Sequence, residues 1–300
     1  MWVHVLGSGA GGGIPQWNCA CGNCARVRSD GRSTERRTEE SIAISSDGER
    51  WYLLNSSPDI HLQIERFPPL WPRGQVRHSP IAAVLLTDAE IDHTAGLLSL
   101  RQADSLTIYA TDFVFLALSE WSGILRVLAA RGTVDRRVVR LGQEFALTTE
   151  LHCAAFSVQS DKVIAWAPGP YRSDDAVVGY CITDVRTGRS LAYLPCFSRL
   201  NDEVMNLVGR STVALVDGTC WSDDELGQVG ATPRRARQMG HLPVGGADGS
   251  LEPFAALSDT RVIYTHLNNT NPLVMDDAPE RRAVEARALE VAFDGMEIEV

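Results

Sequence analysis

Short apolar runs, separated by polar stretches rich in Gly, Pro and Asp, recur along the whole chain. Read by length and β-branched content, they predict strands at Val3–Leu6, Ser41–Ser45, Trp51–Leu54, Ile81–Leu86, Ser105–Ala110, Val138–Leu141, Ala154–Val158, Val177–Thr183, Leu191–Leu194, Val213–Asp217, Val262–Thr265 and Val291–Val300. Helix-like patterns intervene at His93–Arg101, Thr111–Ala130, Asp202–Leu207, Ser250–Ala256 and Pro279–Ala288. Strands outnumber helices, and most helices fall between strands. That pattern predicts mixed sheets in a layered α/β fold rather than a strictly alternating parallel barrel. No internal repeat, low-complexity tract or Pro/Ser-rich linker divides the chain. Gly218–Ser250 is polar and rich in Gly and Arg, and reads either as an active-site loop or as a plain surface loop.

Composition narrows the function classes. Three hundred residues at 44% hydrophobic content supply ample core for one large domain or two small ones. No run approaches the roughly 18 apolar residues of a membrane span. Met1–Gly7 reads as a first strand ending at glycine rather than a signal peptide, so no membrane association and a cytoplasmic location are expected. The net charge is −10, from 28 basic and 38 acidic residues, which argues against nucleic acid as a partner. The basic clusters, Arg26 to Arg37 and Arg234-Arg235-Ala236-Arg237, read as solvated surface, with the holding of an anionic substrate as the minor alternative.

Candidate chemistry concentrates in two places. In Thr87-Asp88-Ala89-Glu90-Ile91-Asp92-His93, carboxylates and an imidazole follow an apolar strand and precede a helix, a ready cation site or, equally, a helix N-cap. In Cys19-Ala20-Cys21-Gly22-Asn23-Cys24, three thiols lie within six residues, and Gly22 and Asn23 let the chain fold back on itself. That spacing fits three corners of a structural zinc site, the fourth ligand being a distant residue or water. Cys153 and Cys181 read as core thiols. Gly7-Ser8-Gly9-Ala10-Gly11-Gly12-Gly13 contains a formal Gly-X-Gly-X-X-Gly, but Ile14-Pro15 follows where a dinucleotide-binding helix would begin. Trp17, beside the thiols, is a candidate pocket residue, and the remaining tryptophans read as packing.

These motifs resemble the metallo-β-lactamase superfamily, through the Gly-rich turn, the Thr87–His93 motif and a late strand ending in Thr265-His266. More narrowly, the thiol insert, Leu53-Leu54-Asn55-Ser56-Ser57-Pro58-Asp59, Gly240-His241-Leu242-Pro243-Val244, Tyr264 to Pro272 and Phe293-Asp294-Gly295-Met296-Glu297-Ile298 closely resemble its branch in the biosynthesis of pyrroloquinoline quinone (PQQ). The resemblance covers the chain from end to end. It implies a single domain over 1–300, an αββα sandwich of two mixed sheets with outer helices and the site at one sheet edge.

Superfamily hydrolases open a two-metal site with His-X-His-X-Asp-His. Here Asp88 and Glu90 stand at the two leading histidine positions, and Phe156-Ser157-Val158-Gln159-Ser160 lacks the next expected histidine. The bridging aspartate is replaced around Pro195-Cys196. Asp92, His93 and His266 survive: two histidines and one carboxylate, the ligand set of non-heme Fe(II) oxygenases. The resemblance thus implies catalytic Fe(II) and dioxygen acting on the tyrosyl ring of a small cross-linked Glu–Tyr amino acid. Other PQQ-pathway proteins are implied partners, and a homodimer is left open. The rival readings are a metal-dependent hydrolase, in which Asp88, Glu90 and Asp217 rebuild a two-metal centre, and a non-enzymatic carrier or export factor for PQQ.

Asp88 and Glu90 are expected to orient the ligands or meet the substrate rather than to ligate. Asp217 is either a site carboxylate or a turn residue before Gly218. His241 matches a position of substrate contact, and Asn269 stands where a close relative completes the thiol-bound zinc with histidine. His4, His61, His78 and His152 carry no spacing signal and read as structural.

Overall fold

The apolar alternation resolves into two seven-stranded sheets. A computed structural model describes residues 1–29, 36–130, 132–158, 168 and 173–300. The first sheet holds β1 (Trp2–Gly7), β2 (Ser41–Ser45), β3 (Trp51–Leu54), β4 (Ile81–Leu85), β5 (Ser105–Ala110) and β6 (Thr133–Val138). The second holds β7 (Glu144–Ala146), β8 (Leu151–Ser157), β9 (Val178–Asp184), β10 (Arg189–Leu194), β11 (Val213–Asp217), β12 (Arg261–Thr265) and β13 (Glu290–Val291). The last strand, β14 (Glu297–Glu299), returns to the first sheet, giving the orders β14-β1-β2-β3-β4-β5-β6 and β13-β12-β11-β10-β9-β8-β7. Each sheet is mixed: β3 to β6 run parallel in one, β10 to β13 in the other.

Three apolar layers follow from the period-two alternation. Val5, Ile42, Leu54 and Leu85 of the first sheet meet Ile182, Tyr193 and Leu215 of the second between the sheets. The alternate residues Leu6, Leu53 and Val84 face outward and are covered by Leu97, Val114 and Leu125. On the far side, Ala192, Val216 and Val262 are covered by Leu207, Phe254 and Val284. Helix, sheet, sheet, helix is the expected αββα order.

Several expected boundaries shift. The segment expected as one strand over Val291–Val300 is two, β13 and β14, and they belong to different sheets. The chain crosses at Phe293-Asp294-Gly295, where Asp294 accepts from Ser8 and Thr38. The strand expected at Val138–Leu141 lies earlier, as β6, with only an isolated bridge at Leu141. The helix expected over Thr111–Ala130 breaks at Gly123, whose φ of 71° suits glycine. The helix Gly22–Ser29 overturns the expectation that Gly22 and Asn23 fold the chain back; they begin a helix instead. Of the Phe156–Ser160 stretch and the Arg26–Arg37 cluster, Gln159, Ser160 and residues 30–35 lie outside the described residues. Among the described residues, no helix is long and apolar enough to cross a membrane.

The Gly-rich turn joins the two sheets instead of cradling a nucleotide. Gly9 bridges Glu39 on one side and Leu267 on the other, and the Ala10 N–H donates to the Leu267 carbonyl at 2.8 Å. A Cβ on Gly7 would fall 2.2 Å from the Glu39 carbonyl oxygen, which is why the turn needs glycine there. Arg37, expected at the surface, is buried. Its guanidinium donates to Ser8 Oγ at 2.9 Å and to the Ala292 carbonyl, pinning the turn.

Candidate metal centre

The parallel strands of both sheets end on the same side, and their carboxyl ends deliver the polar residues. After β4, Thr87 is braced by Asn55 Oδ1, which accepts from the Thr87 N–H at 3.0 Å and its hydroxyl at 3.1 Å. Asn55 itself has a left-handed φ of 63° and donates to Tyr193 and Glu40 through Nδ2. Asn55→Gly should keep the backbone and lose these bonds, whereas Asn55→Ala also forces a left-handed alanine. Alanine is therefore expected to be the worse variant by about 1 kcal/mol, with both destabilised by about 2–3 kcal/mol, as read by denaturant titration.

Asp92 and His93 occupy a single helical turn, Ile91–Thr94. Its N-cap position is Glu90, without a side-chain cap bond, so the capping reading of Asp92 gives way. Instead Asp92 Oδ2 lies 3.4 Å from His266 Nε2, and one ligand atom each from Asp92, His93 and His266 fall within 4.8 Å of one another. Gly11 allows this: a Cβ there would sit 3.1 Å from Asp92 Oδ2. His266 follows β12 with φ 57°, a left-handed conformation that turns its ring back toward the first sheet.

Asp88 lies against His93 and outside the group formed by Asp92, His93 and His266. Both of its carboxylate oxygens lie 2.9 Å from His93 Nδ1, and Oδ1 also accepts from the Glu90 N–H. With Nδ1 committed to Asp88, Nε2 is the nitrogen left to face a cation. That atom is buried with no hydrogen-bond partner. Burial alone would lower the basicity of His93, but the charges of Asp88 and Asp92 raise its pKa to about 10, so the ring favours a positive charge, which a proton supplies at Nε2 until a metal cation displaces it. His266 is lowered, by burial first and then by the neighbouring His93 and His241.

Asp217, at the end of β11, does approach the site. It accepts from the Phe197 N–H (3.2 Å), the Thr219 N–H (2.9 Å) and hydroxyl (2.6 Å), and His241 Nδ1 (2.8 Å). Burial raises its pKa, but the His241 cation outweighs that and leaves it lowered. His241 stacks on His266 with ring centroids 5.2 Å apart, and the Asp217 charge overcomes its burial to push it up to about 10. Cys196, Asp217 and His241 also cluster with metal-ligand spacing. The four donors already on Asp217 make that cluster a hydrogen-bonded network instead.

Two carboxylates escaped sequence reasoning. Glu39 accepts from the Gly12 N–H at 2.9 Å, and burial raises it to about 7, with Asp92 and Asp59 adding to the shift. Glu40 is fully buried against Tyr193 and Asn55, and burial likewise raises it to about 7. The available signal was an acidic pair directly before a strand, a pattern that reads as surface.

The three thiols converge as a second group, with Sγ atoms within 4.8 Å of one another. Asn269 Nδ2 lies 3.1, 3.6 and 3.3 Å from Cys19, Cys21 and Cys24 Sγ, so this side chain occupies the fourth corner. Asn23, in the helix that carries Cys24, donates to the Asn269 and Asn271 carbonyls at 3.1 and 2.9 Å and locks the two segments together. Burial pushes the Cys24 thiol up to about 11. Trp17 is 86% exposed, beside this group and not packed into a pocket. His4 stacks on Phe67, His78 accepts from the Arg73 N–H, and His152 pairs with Glu144. With His61, they stand outside every metal-ligand group among the described residues.

Comparison with known proteins identifies the family of the chain. The β-lactamase superfamily domain matches residues 50–267. Coenzyme PQQ synthesis protein B of Pseudomonas fluorescens is 39% identical, with 99% of each chain covered, and that of Methylorubrum populi is 40% identical over the whole of both. A crystal structure of Zn2+-bound PqqB from Methylobacterium extorquens superposes over both full chains with a TM-score of 0.93 at 38% identity. A diphosphatase of the PhnP family shares the fold, with a TM-score of 0.69 at 19% identity. Relatives this similar along their full lengths, on this fold, show that the chain belongs to the coenzyme PQQ synthesis protein B family of the β-lactamase superfamily.

Proposed function

We propose that the chain acts in PQQ biosynthesis as a mononuclear non-heme iron oxygenase that hydroxylates the tyrosyl ring of a cross-linked Glu–Tyr precursor. The observation that carries this reading is the orphaned His93 Nε2, buried without a partner and grouped with His266 and Asp92. A two-histidine, one-carboxylate donor set on one face fits a divalent iron and leaves positions open. Bound there, iron would supply the dioxygen chemistry that side chains lack.

The residues of the chain prepare the site. Asp88 keeps the proton of His93 on Nδ1. The His241 cation, anchored by Asp217, offers a charge to a carboxylate of the substrate. Glu39, with a pKa near neutrality, is suited to exchange a proton with a phenol or amine. The commitment of Asp88 to His93 favours one catalytic metal over the hydrolase pair.

Cys19, Cys21 and Cys24 fit a structural zinc. The Asn269 amide nitrogen has no lone pair to give. Turned by half a rotation, its Oδ1 would face the same three sulfurs and could serve as the fourth ligand.

The test is anaerobic reconstitution with Fe(II), then addition of dioxygen, ascorbate and the cross-linked amino acid. A product heavier by one or two oxygen atoms is expected. Two catalytic metals per chain, with full turnover in the absence of oxygen, would return the protein to the hydrolases. Undiminished cofactor production in cells carrying Asp92→Ala would favour a carrier.

A further inference from the structure

Thr219 stands at the centre of the hydrogen bonds behind the metal centre, although nothing about its place in the sequence marks it. Its hydroxyl lies 2.6 Å from Asp217 Oδ1, 2.8 Å from His266 Nδ1 and 3.0 Å from His241 Nδ1. Asp217 is buried and receives four donors, so it acts there as an acceptor only. A threonine hydroxyl has a single proton. At 2.6 Å from a carboxylate oxygen, that proton goes to Asp217. The hydroxyl oxygen can then only accept from His266, so His266 Nδ1 must carry hydrogen. The lone pair of His266 is thereby left on Nε2, the atom that faces Asp92.

We propose that Thr219 is a positioning residue that fixes the tautomer of His266, relaying the charge of Asp217 to the imidazole so that Nε2 is presented to a divalent cation. It completes for His266 what Asp88 does directly for His93. One ring is set by a carboxylate, the other by a carboxylate acting through a hydroxyl. The inference rests on Asp92, His93 and His266 being the metal ligands.

The backbone at Thr219 is held independently of the hydroxyl. Its carbonyl accepts from the Asn268 N–H at 3.0 Å and from Asn271 Nδ2 at 3.2 Å. Thr219→Val therefore removes the hydroxyl while keeping shape and backbone, and Thr219→Ser restores the hydroxyl.

The experiment uses the full chain with its thiol site intact and reads two quantities. The first is Co(II) affinity, from the visible absorption of the bound ion. The second is the 15N NMR pattern of the seven histidines in metal-free protein, with His266 assigned by a His266→Gln spectrum. In the wild type His266 should show hydrogen on Nδ1. In Thr219→Val it should show a mixture of tautomers, with Co(II) affinity lower by about 10–100-fold. Thr219→Ser should restore both. A valine variant whose His266 keeps hydrogen on Nδ1 overturns the inference, whatever its metal affinity. A wild type that binds no Co(II) at the triad would sink the oxygenase reading instead, while the tautomer measurement still decides the role of Thr219.

Discussion

His93→Ala is expected to empty the catalytic centre. Removing a ligand should cost more than the about 10–100-fold in affinity that follows loss of an outer partner. Metal analysis of anaerobically purified protein should show the centre vacant and the thiol site filled. The variant also leaves Asp88 buried without its imidazole, at 1% exposure, and an uncompensated buried charge costs about 3–5 kcal/mol. Asp88→Asn separates the two effects. Its amide oxygen still accepts from Nδ1 while the charge is gone, so metal affinity should fall by an intermediate amount with less loss of stability. A His93→Ala protein that takes up metal at wild-type affinity would remove His93 from the site.

Cys24→Ser should have the other large effect, by releasing the zinc. Cys24 is fully buried, and the helix it belongs to is tied through Asn23 to the loop that follows His266. A ligand that binds only the folded state stabilises it by about 4 kcal/mol at a free concentration a thousand times its Kd. Loss of zinc should therefore lower the thermal midpoint and loosen the loop that carries Asn269. Zinc content and calorimetry measure both. Asn269→His, which adds a ring nitrogen lone pair, should slow zinc release to a chelator. Unchanged zinc content in Cys24→Ser would show that the thiols hold no metal.

The candidate site was half legible. Asp92, His93 and the thiols announce themselves because their partners lie a few residues away, where spacing alone restricts geometry. His266 required family resemblance, since 173 residues separate it from His93 and no local pattern links them. Glu39, Glu40 and Thr219 were missed for a related reason. An acidic pair before a strand and a threonine after a glycine are ordinary surface features until the fold buries them. Arg37 was read as solvated on the same grounds, and proved to be a buried clamp on the Gly-rich turn.

The sequence by itself determined most of the strands, because period-two alternation and short apolar runs report burial residue by residue, but it displaced β6 and missed the short, exposed β7. It also determined the thiol cluster and the carboxylate–imidazole pair, both local in the chain. Only the tertiary structure decided that Val291–Val300 splits between two sheets, for β13 and β14 carry the same alternation and differ only in their neighbours. It likewise decided the roles of the polar residues. Asp88 and Asp217 are both carboxylates at strand ends. Each meets a histidine within 2.9 Å, His93 from the turn after β4 for Asp88 and His241 from the longer segment after β11 for Asp217. A hydrogen bond needs a partner at a fixed distance and angle, and for Thr219 and His266 those are set by strands that pair in space, not by anything adjacent in the chain.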